Sequence, residues 1–408
     1  MENSVVKKPR LEWLDALRGF TMIMVVANHV AQMGFEEEWR NSYSLQFLFL
    51  FRMPLFFFIS GFLAYKTPRT PSDSPCLGGE QGSSPKQGRM GGVWWSLLLK
   101  KLRVQIVPTL VFFLLYIAMM SPNFLTGLEN SFHTPNKSGY WFTIALLYMF
   151  IIYYTFAYLE NRLTSHLSPH ISKKVSCILI LLLFLCSLAV YETCYQPSYF
   201  AWAMGYRGKP TALSQFLTDT SLVQMMFWIP FFVYGNIVHR YWDRAQRLMD
   251  SRWFFPVLIV LSVVCTLDVM KWHYMRMAWA IVPRTLAMFL LLTIAFMYFR
   301  YYQQYFTKQT VIGRSLQYIG RRTLDIYLIH FFFLPSLPSV GSFFKLYRHN
   351  FVTDITASVL FALLVIGFCI ITSNILRISP FLKKWLFCRG EGFSPSGENR
   401  RGVRRDTL

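Results

Sequence analysis

Long apolar runs recur along this chain, each about 18 to 22 residues before a polar break, and that repetition leaves few folds open. Wound as an α-helix at about 1.5 Å per residue, such a run matches a hydrocarbon core about 30 Å thick. Membrane-spanning β-strands would alternate apolar and polar residues over short segments, and these runs are continuous. A soluble protein of 408 residues would need more surface charge than the 15% found here. The expected fold is therefore all-α, a polytopic membrane bundle of about ten transmembrane helices. The spans fall near 13–33, 45–65, 103–121, 139–159, 173–191, 219–239, 253–271, 278–299, 322–340 and 352–377. The eighth contains Pro283 and Arg284 but is too apolar for a loop.

Basic residues orient the bundle. If the N-terminus is cytoplasmic and the spans alternate, 30 Lys and Arg lie on the cytoplasmic side and eight on the other; Arg18, Arg52 and Arg284 sit inside spans. This asymmetry predicts that both termini are cytoplasmic and that the protein is multi-pass in the cell membrane. It also accounts for the net charge of +21 without nucleic acid, since the basic residues are spread over loops facing an anionic leaflet and no nucleic-acid motif accompanies them. Lys7, Lys8 and Arg10 before an apolar run resemble a signal peptide. The run carries Arg18 and His29, and no small-residue cleavage site follows, so it is expected to remain as the first helix. Seven scattered cysteines without a CxxC pair imply neither a disulfide framework nor a zinc site, and no metal is expected.

Residues 1–388 are expected to form one transmembrane domain. Within it, the Pro-, Ser- and Gly-rich segment 67–92 reads as a flexible cytoplasmic loop, and 389–408 reads as a disordered basic tail. In 301–322, Ile312, Leu316 and Ile319 have helical spacing, which predicts an interfacial helix leading into span nine.

The first span carries the most telling ionisable pair. Ten residues separate Arg18 from His29. Eleven helical steps turn roughly 20° past three full turns and rise about 16 Å, so both side chains share a face about half a bilayer apart. Singly, Arg18 reads as a cation reaching the interface and His29 as a polar residue bonded to a neighbouring helix. Together they point to a reaction site, because ionisable groups at such depth are costly in hydrocarbon. Asp15, three residues before Arg18, is placed to brace it. His29 is this helix's candidate for proton transfer. Before span three, Lys100 and Arg103 share a helix face at the cytoplasmic boundary. Alone they read as positive-inside anchors; with Arg18 they form a cluster suited to a nucleotide phosphate.

Several of these elements resemble the acyltransferase-3 family of membrane acyltransferases. Leu14-Asp15-Ala16-Leu17-Arg18-Gly19 followed by His29 is similar to that family's Arg-x10-His element. Met53-Pro54 through Gly61-Phe62-Leu63 resembles its second-helix signature, and Lys100-x-x-Arg103 before Pro108 its Arg-x-x-Arg element. Tyr140-Trp141-Phe142 and the stretch from Gly320 through Asp325-Ile326-Tyr327-Leu328-Ile329-His330 match two further patterns, so the resemblance covers nearly the whole chain. It implies acyl transfer from an acyl-coenzyme A, acetyl in the first instance, to a hydroxyl of a cell-surface or lipid-linked glycan. Arg18 and His29 would take the catalytic positions, and Arg18, Lys100 and Arg103 those that hold the donor. Acyl-coenzyme A is then a donor substrate rather than a cofactor. The Lys at 100 keeps the charge but loses the bidentate fork, and the 67–92 loop is an unusual insertion.

Other intramembrane polar residues have bland and sharp readings side by side. Arg52 is expected to face a cavity and Arg284 to be buried against another helix or an acceptor path. Tyr327 and His330 share a face, either in a structural interhelix bond or in function. Asp325 is placed to pair with Arg321, Arg322 or Lys308. Gly61 reads as a close-packing residue. The rival functional class is a secondary transporter or flippase for a glycan or small anionic solute, whose signature would be symmetric halves with paired broken helices. A non-catalytic scaffold on the same fold is the second rival.

Overall fold

The computed structural model describes residues 11–38, 42–65, 98–195, 211–271, 281–346 and 350–387. The expected 67–92 loop and 389–408 tail lie outside them. Among the described residues the chain is helical throughout and has no strand.

The long helices are α1 (Glu12–His29), α2 (Tyr43–Ala64), α3 (Leu98–Met120), α5 (Trp141–Thr164), α6 (Pro169–Tyr195), α8 (Leu222–Arg240), α10 (Phe254–Lys271), α11 (Ile281–Tyr301) and α15 (Phe351–Leu376). Shorter ones are α4 (Phe124–Phe132), α7 (Ala212–Asp219), α9 (Trp242–Met249), α12 (Val311–Arg321), α13 (Thr323–Ile329), α14 (Pro338–Leu346) and α16 (Pro380–Phe387).

Among the described residues, seven helices are long and apolar enough to cross a membrane: α2, α3, α5, α6, α8, α11 and α15. Counting the pair α9–α10, bent by 82°, as one broken span makes eight. Two of the ten expected spans differ for physical reasons. The first, α1, holds Glu12, Asp15 and Arg18, and it is enclosed by α2, α11, α12, α13 and α15 rather than facing lipid. The ninth stops early. α13 ends in a single tight turn at His330–Phe332, and the chain then runs without helix to α14. Pro335 and Pro338 explain the break, since proline removes a helical donor and disfavours helix in the residue before it.

Enclosure follows composition. In α2 and α8, 67% of the apolar window is buried inside the protein, against 17% in α6, whose outer face presents Ile178, Leu181, Leu182 and Leu185. Apolar side chains facing outward in such number suit hydrocarbon rather than water.

Two glycine seams bring the central helices into backbone contact. A Cβ at Gly19 would lie 2.0 Å from the Leu316 carbonyl oxygen, and one at Gly320 would lie 1.8 Å from that of Asp15, so α1 and α12 touch main chain to main chain. Gly61 and Gly235 do the same for α2 and α8, with 1.8 Å to the Phe232 oxygen and 2.0 Å to the Phe58 oxygen. The packing expected of Gly61 is what the fold shows. On the basic side, Arg240 of α8 pairs with Glu160 of α5 and reaches Ser176 of α6.

Candidate functional site

The site is built where α1 meets the broken end of α13. α1 is unbroken from Arg18 to His29, so the shared face expected from the spacing is present. Immediately after His29 the helix widens into a π-turn at Val30–Gly34. A second π-turn, Leu102–Ile106, contains Arg103. Such turns recur at functional positions in helices.

His29 is half-buried, and its Nδ1 is enclosed without a hydrogen-bond partner. Its ring lies 5.2 Å from that of His330 and 5.1 Å from that of Phe331, centroid to centroid. Phe331 in turn packs on Tyr140 at 5.4 Å and Tyr116 at 6.1 Å. Arg52 of α2 is within electrostatic reach of His29, and its enclosed Nε makes no hydrogen bond. His29, Arg52 and His330 therefore converge from three helices beside an aromatic wall. Orphaned polar atoms of this kind mark a place where another polar group is accommodated.

The broken span explains His330. A helix end leaves its last carbonyls without backbone donors, and His330 Nδ1 lies 3.0 Å from the Ile326 oxygen and 2.8 Å from that of Tyr327. A carbonyl only accepts, so Nδ1 carries the hydrogen. The interhelix bond read as the structural alternative for His330 is thus a bond to its own helix. Nε2 is fully enclosed and has no partner.

Tyr327 does bridge helices. Its hydroxyl donates to the Gly139 carbonyl at 2.9 Å and accepts from the Phe142 N–H at 3.2 Å, while the Tyr140 hydroxyl donates to the Leu328 carbonyl at 2.9 Å. These bonds lock the start of α5 to α13. The turn that leads from α4 into α5 is strained, with φ of 45° at Lys137 and 50° at Ser138, and Gly139 follows at a φ of 95° that glycine adopts freely. Buried Lys137 clamps it by donating to the Phe132 and Thr218 carbonyls, and burial lowers its pKa to about 8. At Gly139 any Cβ would strike Phe331, 2.0 Å away.

Arg18 sits about three turns down α1 from His29. It donates to Thr323 Oγ1 at 3.1 Å, and Asp15 braces it at 3.8 Å, as the spacing predicts. Lys100 and Arg103 are exposed on α3. α13 packs on both α1 and α3. The site residues read from the sequence thus fall into two places, His29 at the aromatic wall and three cations in the N-terminal parts of α1 and α3.

Other residues resolve as structural. Asp325 pairs with Arg377, the residue that caps α15, at 2.5 Å and accepts from Ser373 at 2.9 Å, rather than pairing with Arg321, Arg322 or Lys308. Lys308 instead pairs with Glu12 at 3.3 Å. Arg284 is buried between α6 and α11 near Tyr191 and Glu192. His239 stacks on Phe62 at 4.3 Å and bonds its carbonyl. In α12, Leu316 and Ile319 face inward while Ile312 is exposed.

These features define a polytopic helical membrane protein whose ionisable residues converge inside the bundle. The family model described as an acyltransferase domain, that of the acyltransferase-3 family, matches residues 11–374, and the chain belongs to that family. It is accordingly a membrane acyltransferase. No curated protein and no solved structure is matched by the chain.

Proposed function

We propose that the protein transfers an acyl group, acetyl in the first instance, from a cytoplasmic acyl-coenzyme A to a hydroxyl of a cell-surface or lipid-linked glycan. The observation that carries the reading is His29, a half-buried imidazole in an aromatic enclosure, on the same helix face as Arg18 and about 16 Å from it. A phosphorylated donor with an extended thioester arm suits that division. Arg18, Lys100 and Arg103 would hold phosphates at the N-terminal parts of α1 and α3, and the thioester would reach inward to His29.

Two routes fit the imidazole. As a general base, His29 takes the proton from the acceptor hydroxyl as its oxygen attacks the thioester carbonyl and the carbon–sulfur bond breaks. As a nucleophile, His29 attacks first, coenzyme A leaves as the thiolate, and the acceptor hydroxyl then displaces the imidazole from the acyl group. The second route suits a donor and an acceptor on opposite faces of the membrane. The acceptor class follows from the family resemblance in the sequence motifs.

The test uses purified protein in lipid nanodiscs with acetyl-coenzyme A and a mixed pool of glycan acceptors. Coenzyme A release by the wild type, lost in a folded His29→Ala variant, is the expected result. Absence of both release and acetyl-coenzyme A binding would overturn the reading and favour the transporter or scaffold alternatives.

A further inference from the structure

We propose that His330 is a positioning residue that sets the tautomer of His29; this rests on the acyl-transfer reading only for its effect on turnover. Each imidazole has one enclosed nitrogen without a partner, Nδ1 of His29 and Nε2 of His330, on rings 5.2 Å apart. His330 has only one way to be neutral here. Its Nδ1 hydrogen is committed to the Ile326 and Tyr327 carbonyls, so Nε2 holds a bare lone pair. The ring is 0% exposed, fixed by those two bonds and by Phe331 at 3.9 Å.

His29 is the freer partner, being half-buried and able to turn about a broad terminal torsion. A small rotation lets its Nδ1–H donate to His330 Nε2. Both orphaned nitrogens are then satisfied by one bond, and the lone pair of His29 is left on Nε2. That nitrogen is the reactive one on either chemical route. As a base, it receives the hydroxyl proton, and His330 Nε2 stabilises the resulting imidazolium by accepting from Nδ1–H. As a nucleophile, it forms the bond to the acyl carbon while the sulfur leaves with its electron pair, and His330 Nε2 accepts from Nδ1–H of the acyl-imidazolium; the acceptor oxygen then bonds to the acyl carbon, the bond to His29 Nε2 breaks, and that nitrogen takes the hydroxyl proton and passes it to water. The arrangement follows the general rule that the partner of one ring nitrogen decides what the other can do.

Two amide substitutions separate this role from simple capping of the broken helix. In His330→Asn, the side-chain N–H can still cap the Ile326 and Tyr327 carbonyls, but nothing occupies the place of Nε2. In His330→Gln, the amide reaches the place of Nε2, where its oxygen accepts from His29. Coenzyme A release, donor KM and histidine ¹⁵N NMR spectra are measured in nanodiscs, with monodispersity and acetyl-coenzyme A binding as checks of folding. The expected result is a kcat loss of roughly 10²-fold or more in His330→Asn and His330→Ala. His330→Gln loses much less, and donor KM stays within about twofold in all three. The His29 signal is that of a bare Nε2 in the wild type and becomes a tautomer mixture in His330→Ala. An Asn variant as active as the wild type, beside an inactive Gln variant, would overturn the proposal, as would a His29 tautomer unchanged in His330→Ala. The NMR readout needs no turnover, so it separates failure of this proposal from failure of the acyl-transfer reading.

Discussion

Each buried charge in this bundle meets the cost of leaving water in its own way, and the differences predict how substitutions behave. Asp325 is 4% exposed at its side chain and is held by Arg377 and Ser373. Asp325→Ala leaves Arg377 without its carboxylate, and breaking a buried pair costs about 3 kcal/mol. Thermal unfolding should show a clear fall in Tm. Lys308→Ala, at a pair 65% exposed on the lysine side, should change stability by less than about 1 kcal/mol. Thr323→Val removes one hydrogen-bond acceptor of Arg18 while keeping the side chain's shape. On the donor-binding role for Arg18, this raises the KM for acyl-coenzyme A several-fold with little change in kcat, which steady-state kinetics would read directly.

Helices and turns place these residues, and here the sequence is legible to different depths. The shared face of Arg18 and His29 and the bracing by Asp15 follow from residue spacing alone, because both lie on one uninterrupted helix. The closeness of His29 to His330 does not, since some three hundred residues separate them and no periodicity links them. The break that brings His330 to α1 did leave a signal, Pro335 and Pro338 inside an apolar run. Apolarity measures length and not continuity, so ten spans were expected where seven or eight qualify. The partner of Asp325 is not legible because Arg321 and Arg322, four and three residues before it, fit a local pair equally well, whereas Arg377 is 52 residues away. Element-scale packing also gives tests. Gly320→Ala would force α1 from α12, costing about 1–3 kcal/mol and loosening Arg18 from Thr323. Gly139→Ala combines a φ of 95° with a contact to Phe331, so its loss of acyl transfer should exceed the loss expected from its Tm.

For the molecule as a whole, the least apolar long helix is the most enclosed. α1 carries Asp15, Arg18 and His29 through the centre, and more apolar helices such as α2 and α15 pack around it. On the side opposite the basic loops, the turn after α1 holds Glu37, whose Oε2 accepts from Ser42 while its Oε1 is enclosed without a partner. Burial, with Asp354 adding repulsion, raises its pKa from 4.5 to about 7. The protonated form is thus favoured in the fold. Its stabilising contribution is complete below about pH 4.5 and is lost as the pH rises through about 7. Thermal unfolding between pH 5 and 8 should show Tm falling with pH, and Glu37→Gln should flatten that slope. The most direct test of the central claim is acetyl transfer in sealed vesicles, with labelled acetyl-coenzyme A supplied only on the face carrying Lys100 and Arg103. The account predicts label on a glycan acceptor from that face alone, abolished by His29→Ala with donor binding intact. Transfer that survives His29→Ala, or that requires donor on the opposite face, would contradict it.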